Sequence, residues 1–130
     1  MEKTAYKDIV GIDVFWKYFP DKPWHYFQDI LEFRWYKEFD YEEWQNRFYL
    51  ELKMADFNNQ DVVLLKLIDV SGEGTCRFSG CISGLDIVNL RQGASWLEQH
   101  YELVDFEDSA IRFYCNEIEI KVIAVNGIRI

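Results

Sequence analysis

The stretch "IRFYCNEIEIKVIAV", Ile111 to Val125, carries two alternations that do not share a phase. Ile111, Phe113 and Cys115 repeat at a period of two, and Ile118, Ile120 and Val122 repeat on the opposite parity. Successive side chains of a strand point to opposite faces, so one unbroken strand cannot bury both sets on one side. A bulge or tight turn at Asn116–Glu117 reconciles them. The segment reads as strand, irregularity, strand.

The neighbouring sequence extends this pattern in both directions. "NG" at 126–127 before "IRI" is the strongest short-range hairpin signal and predicts a final turn. Upstream, "RFYLELKMADF" (47–57) places Phe48, Leu50, Leu52 and Met54 inward and Tyr49, Glu51 and Lys53 outward. "NNQD" (58–61) is turn chemistry, because Asn and Asp tolerate left-handed backbone and hydrogen-bond locally. "VVLLKLIDV" (62–70) follows as a more buried strand, and "SGEG" (71–74) as another turn. "TCRFSGCISGLDIVNL" (75–90) reads as strand with bulges or bends at Gly80 and Gly84. "HYELVDF" (100–106) reads as a short edge strand and "EDSA" (107–110) as a turn.

Toward the N-terminus, Ile12, Phe15, Trp16 and Phe19 recur at helical spacing, and Pro20 and Pro23 end that short helix. "WHYFQDILEFRWYKEF" (24–39) then sets Phe27, Leu31, Phe33 and Trp35 on one face and Gln28, Glu32 and Arg34 on the other. It reads as a core strand with one wet face, hairpinned to 47–57 through the turn "DYEEWQN" (40–46). Asp29 falls on its apolar face. The carboxylate there needs a partner, either a bend that it caps or a base such as Arg34 or Arg47. No linker, repeat or low-complexity tract interrupts the 130 residues. The expectation is one domain, residues 1–130, of α+β class: a curved, mainly antiparallel sheet of about six to eight strands with a short N-terminal helix. A β-sandwich or partial barrel is the alternative.

Composition narrows the function classes. The chain is 49% hydrophobic and 28% charged, which suits a folded globule. Its net charge of −9 disfavours nucleic-acid backbones and anionic membranes, both of which are bound through Lys and Arg. No stretch approaches the roughly 20 apolar residues of a membrane span. The three cysteines, Cys76, Cys81 and Cys115, with no apolar signal core near Met1, lead to the expectation of a reducing, cytoplasmic compartment.

Chemical motifs are sparse. Cys76 and Cys81 lack the second close pair that structural zinc wants, so no metal and no cofactor are expected. No phosphate-binding loop, dinucleotide fingerprint or nucleophile elbow is present. His100 and Cys115 can meet across a hairpin, with a core cysteine as the simpler reading. Glu117 and Glu119 share a strand face that alternation makes a solvated one. A pocket near Trp24, His25 and Asp29 is the one candidate for small-ligand or catalytic chemistry, and the balance leans against an enzyme.

Between Trp96 and Glu119 stand seven acids and a single base, Arg112, interleaved with Trp96, Tyr101, Phe106 and Tyr114. Such a surface suits a basic protein partner, with Trp96, Glu98, Glu102, Asp105, Glu107 and Asp108 as the docking residues. The alternative is a solvated edge whose aromatics point inward.

The order of features resembles small immunity proteins of bacterial polymorphic-toxin systems. The resemblance rests on the short helix, the strand entered through Phe27-Gln28-Asp29, and the closing "YELVDFEDSAIRFYCNEIEI" (101–120). Some of those families carry Phe-His-Asp and a later acid at the first place, where this chain has Gln28 and Leu31. The resemblance implies a non-catalytic binding protein that neutralises a toxin by covering its active site or a surface nearby. A structural subunit lending an exposed strand edge to an oligomer is a further alternative.

Overall fold

The computed structural model describes residues 3–71, 75–76, 84–92, 99–105, 107 and 111–130. Helix α1 (Ile12–Tyr18) is flanked by single 3-10 turns at Lys3–Tyr6 and Trp24–Tyr26. The strands are β1 (Asp29–Asp40), β2 (Gln45–Ala55), β3 (Val62–Ile68), β4 (Thr75–Cys76), β5 (Leu85–Asn89), β6 (Tyr101–Asp105), β7 (Ile111–Cys115), β8 (Glu117–Val125) and β9 (Ile128–Arg129). They form a five-stranded sheet in the order β1-β2-β3-β8-β9, curled into a half-barrel, and a smaller sheet in the order β4-β7-β6-β5. Every ladder between named strands is antiparallel, as expected from the short connections. The α+β class and the antiparallel curved sheet stand as read from the sequence.

The phase slip at Asn116 marks the corner between the two sheets. Residues 111–115 belong to the smaller sheet and 117–125 to the larger, with Asn116 as the bend between them. Its N–H donates to the Ile68 carbonyl at 3.0 Å, at the end of β3, and the Ser71 N–H donates back to the Tyr114 carbonyl at 2.8 Å. Both apolar sets are buried, each on the inner face of its own sheet. A chain switching sheets must exchange faces, and one residue out of phase does this.

The turns follow their chemistry. Asn126 and Gly127 take φ of 52° and 80° and join β8 to β9 with Val125 opposite Ile128. Asp40 Oδ1 accepts from the Glu42 and Glu43 N–H groups at 2.9 and 3.2 Å, closing the turn that leads into β2. Asp56 Oδ1 does the same between β2 and β3, accepting from Gln60 and Asp61 at 2.7 and 2.8 Å.

One contiguous core draws on α1 and on both sheets, with Phe15, Phe27, Leu50, Leu52, Leu65, Leu67, Ile87, Leu103, Ile111 and Ile118 essentially inaccessible. The chain before α1 is fastened to β8. Val10 N–H reaches the Ile118 carbonyl at 3.0 Å, and Ile120 N–H reaches the Val10 carbonyl at 2.8 Å. Gly11 follows at φ 87°, where a Cβ would stand 2.1 Å from the Ile120 oxygen. Only glycine permits that approach.

Two strand readings change. β1 is a sheet edge rather than a core strand. Its register with β2 slips between Ile30 and Glu32, which places Leu31 at a bulge. Phe27, ahead of the strand, is buried and Phe33 is half-buried, but Leu31 and Trp35 are each 42% exposed. Conversely, the 100–106 segment supplies β6, which lies inside its sheet between β7 and β5. No described helix is long and apolar enough to cross a membrane.

Candidate functional site

Trp24, His25 and Asp29, the alternative pocket read from the sequence, do not line a common cleft among the described residues. Trp24 is a core residue, stacked on Phe15 at 4.9 Å between ring centroids and edge-on to Tyr6 at 5.2 Å. His25, next in sequence, faces outward into an open cleft of about 470 Å³ with Lys22, Tyr26, Asp56 and Phe57. Asp29 starts β1 and does not line that cleft. Neither base expected for Asp29 goes to it, since Arg34 pairs with Glu51 and Arg47 with Asp40, Glu43 and Asp69. Adjacent residues on a turn diverge, so sequence closeness did not bring these three together.

The acidic face at 96–108 is only partly visible. Trp96, Glu98 and Asp108 lie outside the described residues. Asp105, expected at a docking surface, is completely buried at the end of β6, where its Oδ1 accepts from the Glu107 N–H at 3.0 Å. Gly84 makes room for it, because a Cβ there would stand 2.8 Å from that same oxygen. Asp105 therefore shapes a turn rather than meeting a partner. Glu102 is largely buried and lies 3.4 Å from Arg112. Glu107 is exposed. The feature the sequence hides is that the Val104–Asp105 pair ends a strand between two neighbours, where even a carboxylate is enclosed.

His100 and Cys115 do meet, but without chemistry between them. The His100 N–H donates to the Cys115 carbonyl at 3.0 Å, and its ring Nδ1 lies 2.9 Å from the Asn116 carbonyl. Cys115 is fully buried, and burial pushes its thiol up to about 12. A thiol so protonated is a poor nucleophile. Among the described residues, no three His, Cys, Asp or Glu side chains converge as a ligand set.

A surface the sequence reading passed over as a turn stands out instead. "EFDYEEW", Glu38 to Trp44, interleaves four acids with three aromatics. Phe39, Tyr41 and Trp44 are 39%, 77% and 75% exposed at the tip of the β1–β2 hairpin. They pack on one another, with ring centroids 4.9, 5.3 and 6.3 Å apart. Trp44 sits at φ 56°, a left-handed conformation that a tryptophan rarely adopts. Arg47 steadies the base of the tip, 2.8 Å from Asp40, 3.0 Å from Glu43 and 2.8 Å from Asp69 at the end of β3. Four carboxylates stand against that one guanidinium, so the tip is negative and aromatic together.

Along the convex face behind the tip, Tyr36 and Tyr49 stack at 5.1 Å. Arg34 lies over the first ring at 4.5 Å and Lys66 over the second at 5.1 Å. Burial, and after it a hydrogen bond with Glu51, pushes the Tyr36 phenol up to about 12. This ladder stiffens the hairpin and holds its tip in place. The usable signal in the sequence was the interleaving of acid and aromatic, the same one that drew attention to 96–119. Comparison with protein-family models, with curated proteins and with solved structures gave no significant match to any part of the chain.

Proposed function

We propose that the chain is a non-catalytic binding protein that docks a basic protein, in the manner of an immunity protein neutralising a bacterial toxin. The observation that carries this reading is the exposed, negatively charged aromatic cluster of Phe39, Tyr41 and Trp44 on the β1–β2 hairpin. Solvent-exposed Tyr and Trp on a rigid element supply large contact area at low entropic cost, and such residues dominate interface energies. Glu38, Asp40, Glu42 and Glu43 around them favour a basic partner and steer its approach. The net charge of −9 acts in the same direction at longer range. Glu107, with whatever surface surrounds it, is a second contact available to the same partner.

The test is co-purification with the protein encoded by the adjacent gene. Tyr41→Ala with Trp44→Ala is expected to weaken that complex on the order of 100-fold, through faster dissociation. Glu42→Lys is expected to slow association, with an effect that shrinks in high salt. Unchanged binding in the aromatic variants would sink the hairpin as the docking surface. Loss of binding on reversing Glu107 alone would return it to the 96–108 face.

A further inference from the structure

β1 offers its outer edge as well as its tip. It is 12 residues long, it ends the sheet order, and among the described residues it pairs only with β2. An edge of this length that no described strand pairs is a template for another strand. We infer that its occupant is a second copy of this chain, paired antiparallel along β1 about a two-fold axis through Tyr36.

The argument is self-complementarity. A two-fold axis normal to the sheet at Tyr36 sets Arg34 opposite Glu38 of the second copy, and Glu38 opposite its Arg34. The same axis sets Trp35 opposite Lys37 and Phe33 opposite Phe39, again twice each, with Tyr36 facing itself. One step further out Glu32 meets Asp40, whose carboxylate is already neutralised by Arg47 at 2.8 Å. Directly opposed residues of antiparallel strands stand about 4.5–5.5 Å apart at Cβ, close enough for ion pairs, ring contacts and a cation over an indole. Moving the axis by one residue spoils this pattern. Centred on Trp35, Glu32 faces Glu38; centred on Lys37, that lysine faces itself. An axis between residues would set the concave face of one copy against the convex face of the other, since side chains alternate.

Most of the side chains in the pairing reach solvent in the single chain, while Phe33 also packs on Phe113. Arg34 is 70% exposed and only 3.6 Å from Glu51, a loose surface pair. Trp35 and Phe39 are 42% and 39% exposed in the single chain, and Lys37 and Glu38 are exposed too. Leu31, bulged out of register, ends the flat segment at one side. The paired stretch, Phe33 to Phe39, stops short of Tyr41 and Trp44. Each copy therefore keeps Tyr41 and Trp44 clear, one pair at either end of a sheet continuous across both copies, while Phe39 and Glu38 are shared with the pairing. The pairing shares Glu38 and Phe39 with the proposed docking surface, leaves Tyr41 and Trp44 to it, and makes it bivalent.

Sedimentation velocity at about 0.15 M salt, where charges beyond roughly 8 Å are screened, tests this over about 1–300 µM chain. The native chain is expected to pass from monomer to dimer in that range. Arg34→Glu and Glu38→Arg should each stay monomeric, with the dimer weakened about tenfold or more by two opposed like charges. An equimolar mixture of those two variants should dimerise again, because every opposed pair is then of opposite sign. Tyr36→Cys should form a disulfide-linked dimer on mild oxidation, as the axis brings the two positions within bridging distance. Trp35→Cys and the native chain should not. Thermal unfolding of each variant shows that it is folded. A native chain that remains monomeric, single variants that still dimerise, or a mixture that does not would overturn the inference. Tyr41→Ala with Trp44→Ala should leave the dimer intact, which separates its failure from failure of the docking surface.

Discussion

The Tyr26 hydroxyl donates to Asp61 Oδ2 at 2.5 Å, and the other oxygen of the same carboxylate accepts from the Asn126 N–H at 2.8 Å. One buried carboxylate thus ties the 3-10 turn before β1, the β2–β3 turn and the β8–β9 turn together. Burial, with Asp61 next in importance, pushes the Tyr26 phenol far above its ordinary value, so it stays a donor throughout the physiological range. Removing the donor leaves a desolvated acceptor behind. Tyr26→Phe is expected to cost about 1–3 kcal/mol in urea unfolding, and Asp61→Ala more, because it orphans the Asn126 N–H as well. Equal and negligible losses would mean that water replaces the network freely.

Gly11 and Gly127 both have positive φ, at 87° and 80°, yet differ in surroundings. A Cβ at Gly11 collides with the Ile120 carbonyl, whereas a Cβ at Gly127 meets nothing within 4 Å. Gly127→Ala should therefore cost about 1 kcal/mol, the left-handed penalty alone. Gly11→Ala should cost about 3 kcal/mol or more, since the link between Val10 and β8 must open. The two urea midpoints, compared at constant slope, measure the difference.

These local features show how far the sequence could be read. Asn126-Gly127 was legible because that pair suits the tight hairpin turn with φ > 0 at both positions, which both residues adopt. The Asn116 irregularity was legible as an irregularity, from the parity of its flanking apolar residues. That it separates two sheets was not, because strand pairing is non-local. The β1 alternation misled for the same reason. Leu31 and Trp35 look like core residues by period, but a bulge and an edge position leave them half in solvent. The tip at Phe39–Trp44 carried a readable pattern, while its exposure depended on how far a 12-residue strand projects. The enclosure of Asp105 had no sequence signature, since nothing in "YELVDF" tells an interior strand from an edge.

Arg47 is held by Asp40, Glu43 and Asp69, and its guanidinium, with the turn N–H groups next, keeps the Asp40 carboxyl below its usual range. A depressed carboxylate contributes stability that is present above its unfolded pKa, here 3.8, and is lost as pH falls through the folded value. Arg47→Met should therefore be less stable than the native chain at neutral pH. The gap should narrow as pH drops below about 4, and also in high salt. Urea melts at pH 7 and pH 3 check the sign. A gap that stays constant in acid would show that packing of the Arg47 stem, not its charge, is what matters.

Cys115 and Tyr36 move in the opposite sense. Burial raises the thiol from 9.0 to about 12 and the phenol from 10.0 to about 12. A raised group contributes stability that is complete below its unfolded pKa and is lost as pH climbs toward the folded value. For these two groups stability should be flat below about pH 8 and decline from about pH 9, where the unfolded thiol begins to ionise. Cys115→Ala removes the thiol part, so its decline should begin nearer pH 10, where unfolded tyrosine ionises. The same variant should lose about 1 kcal/mol at pH 7, because the deleted sulfur leaves a small cavity. In the native chain, a thiol reagent at pH 8 should modify Cys115 only as fast as the protein opens. Rapid stoichiometric labelling of Cys115 in the folded state would contradict both its burial and the alkaline profile.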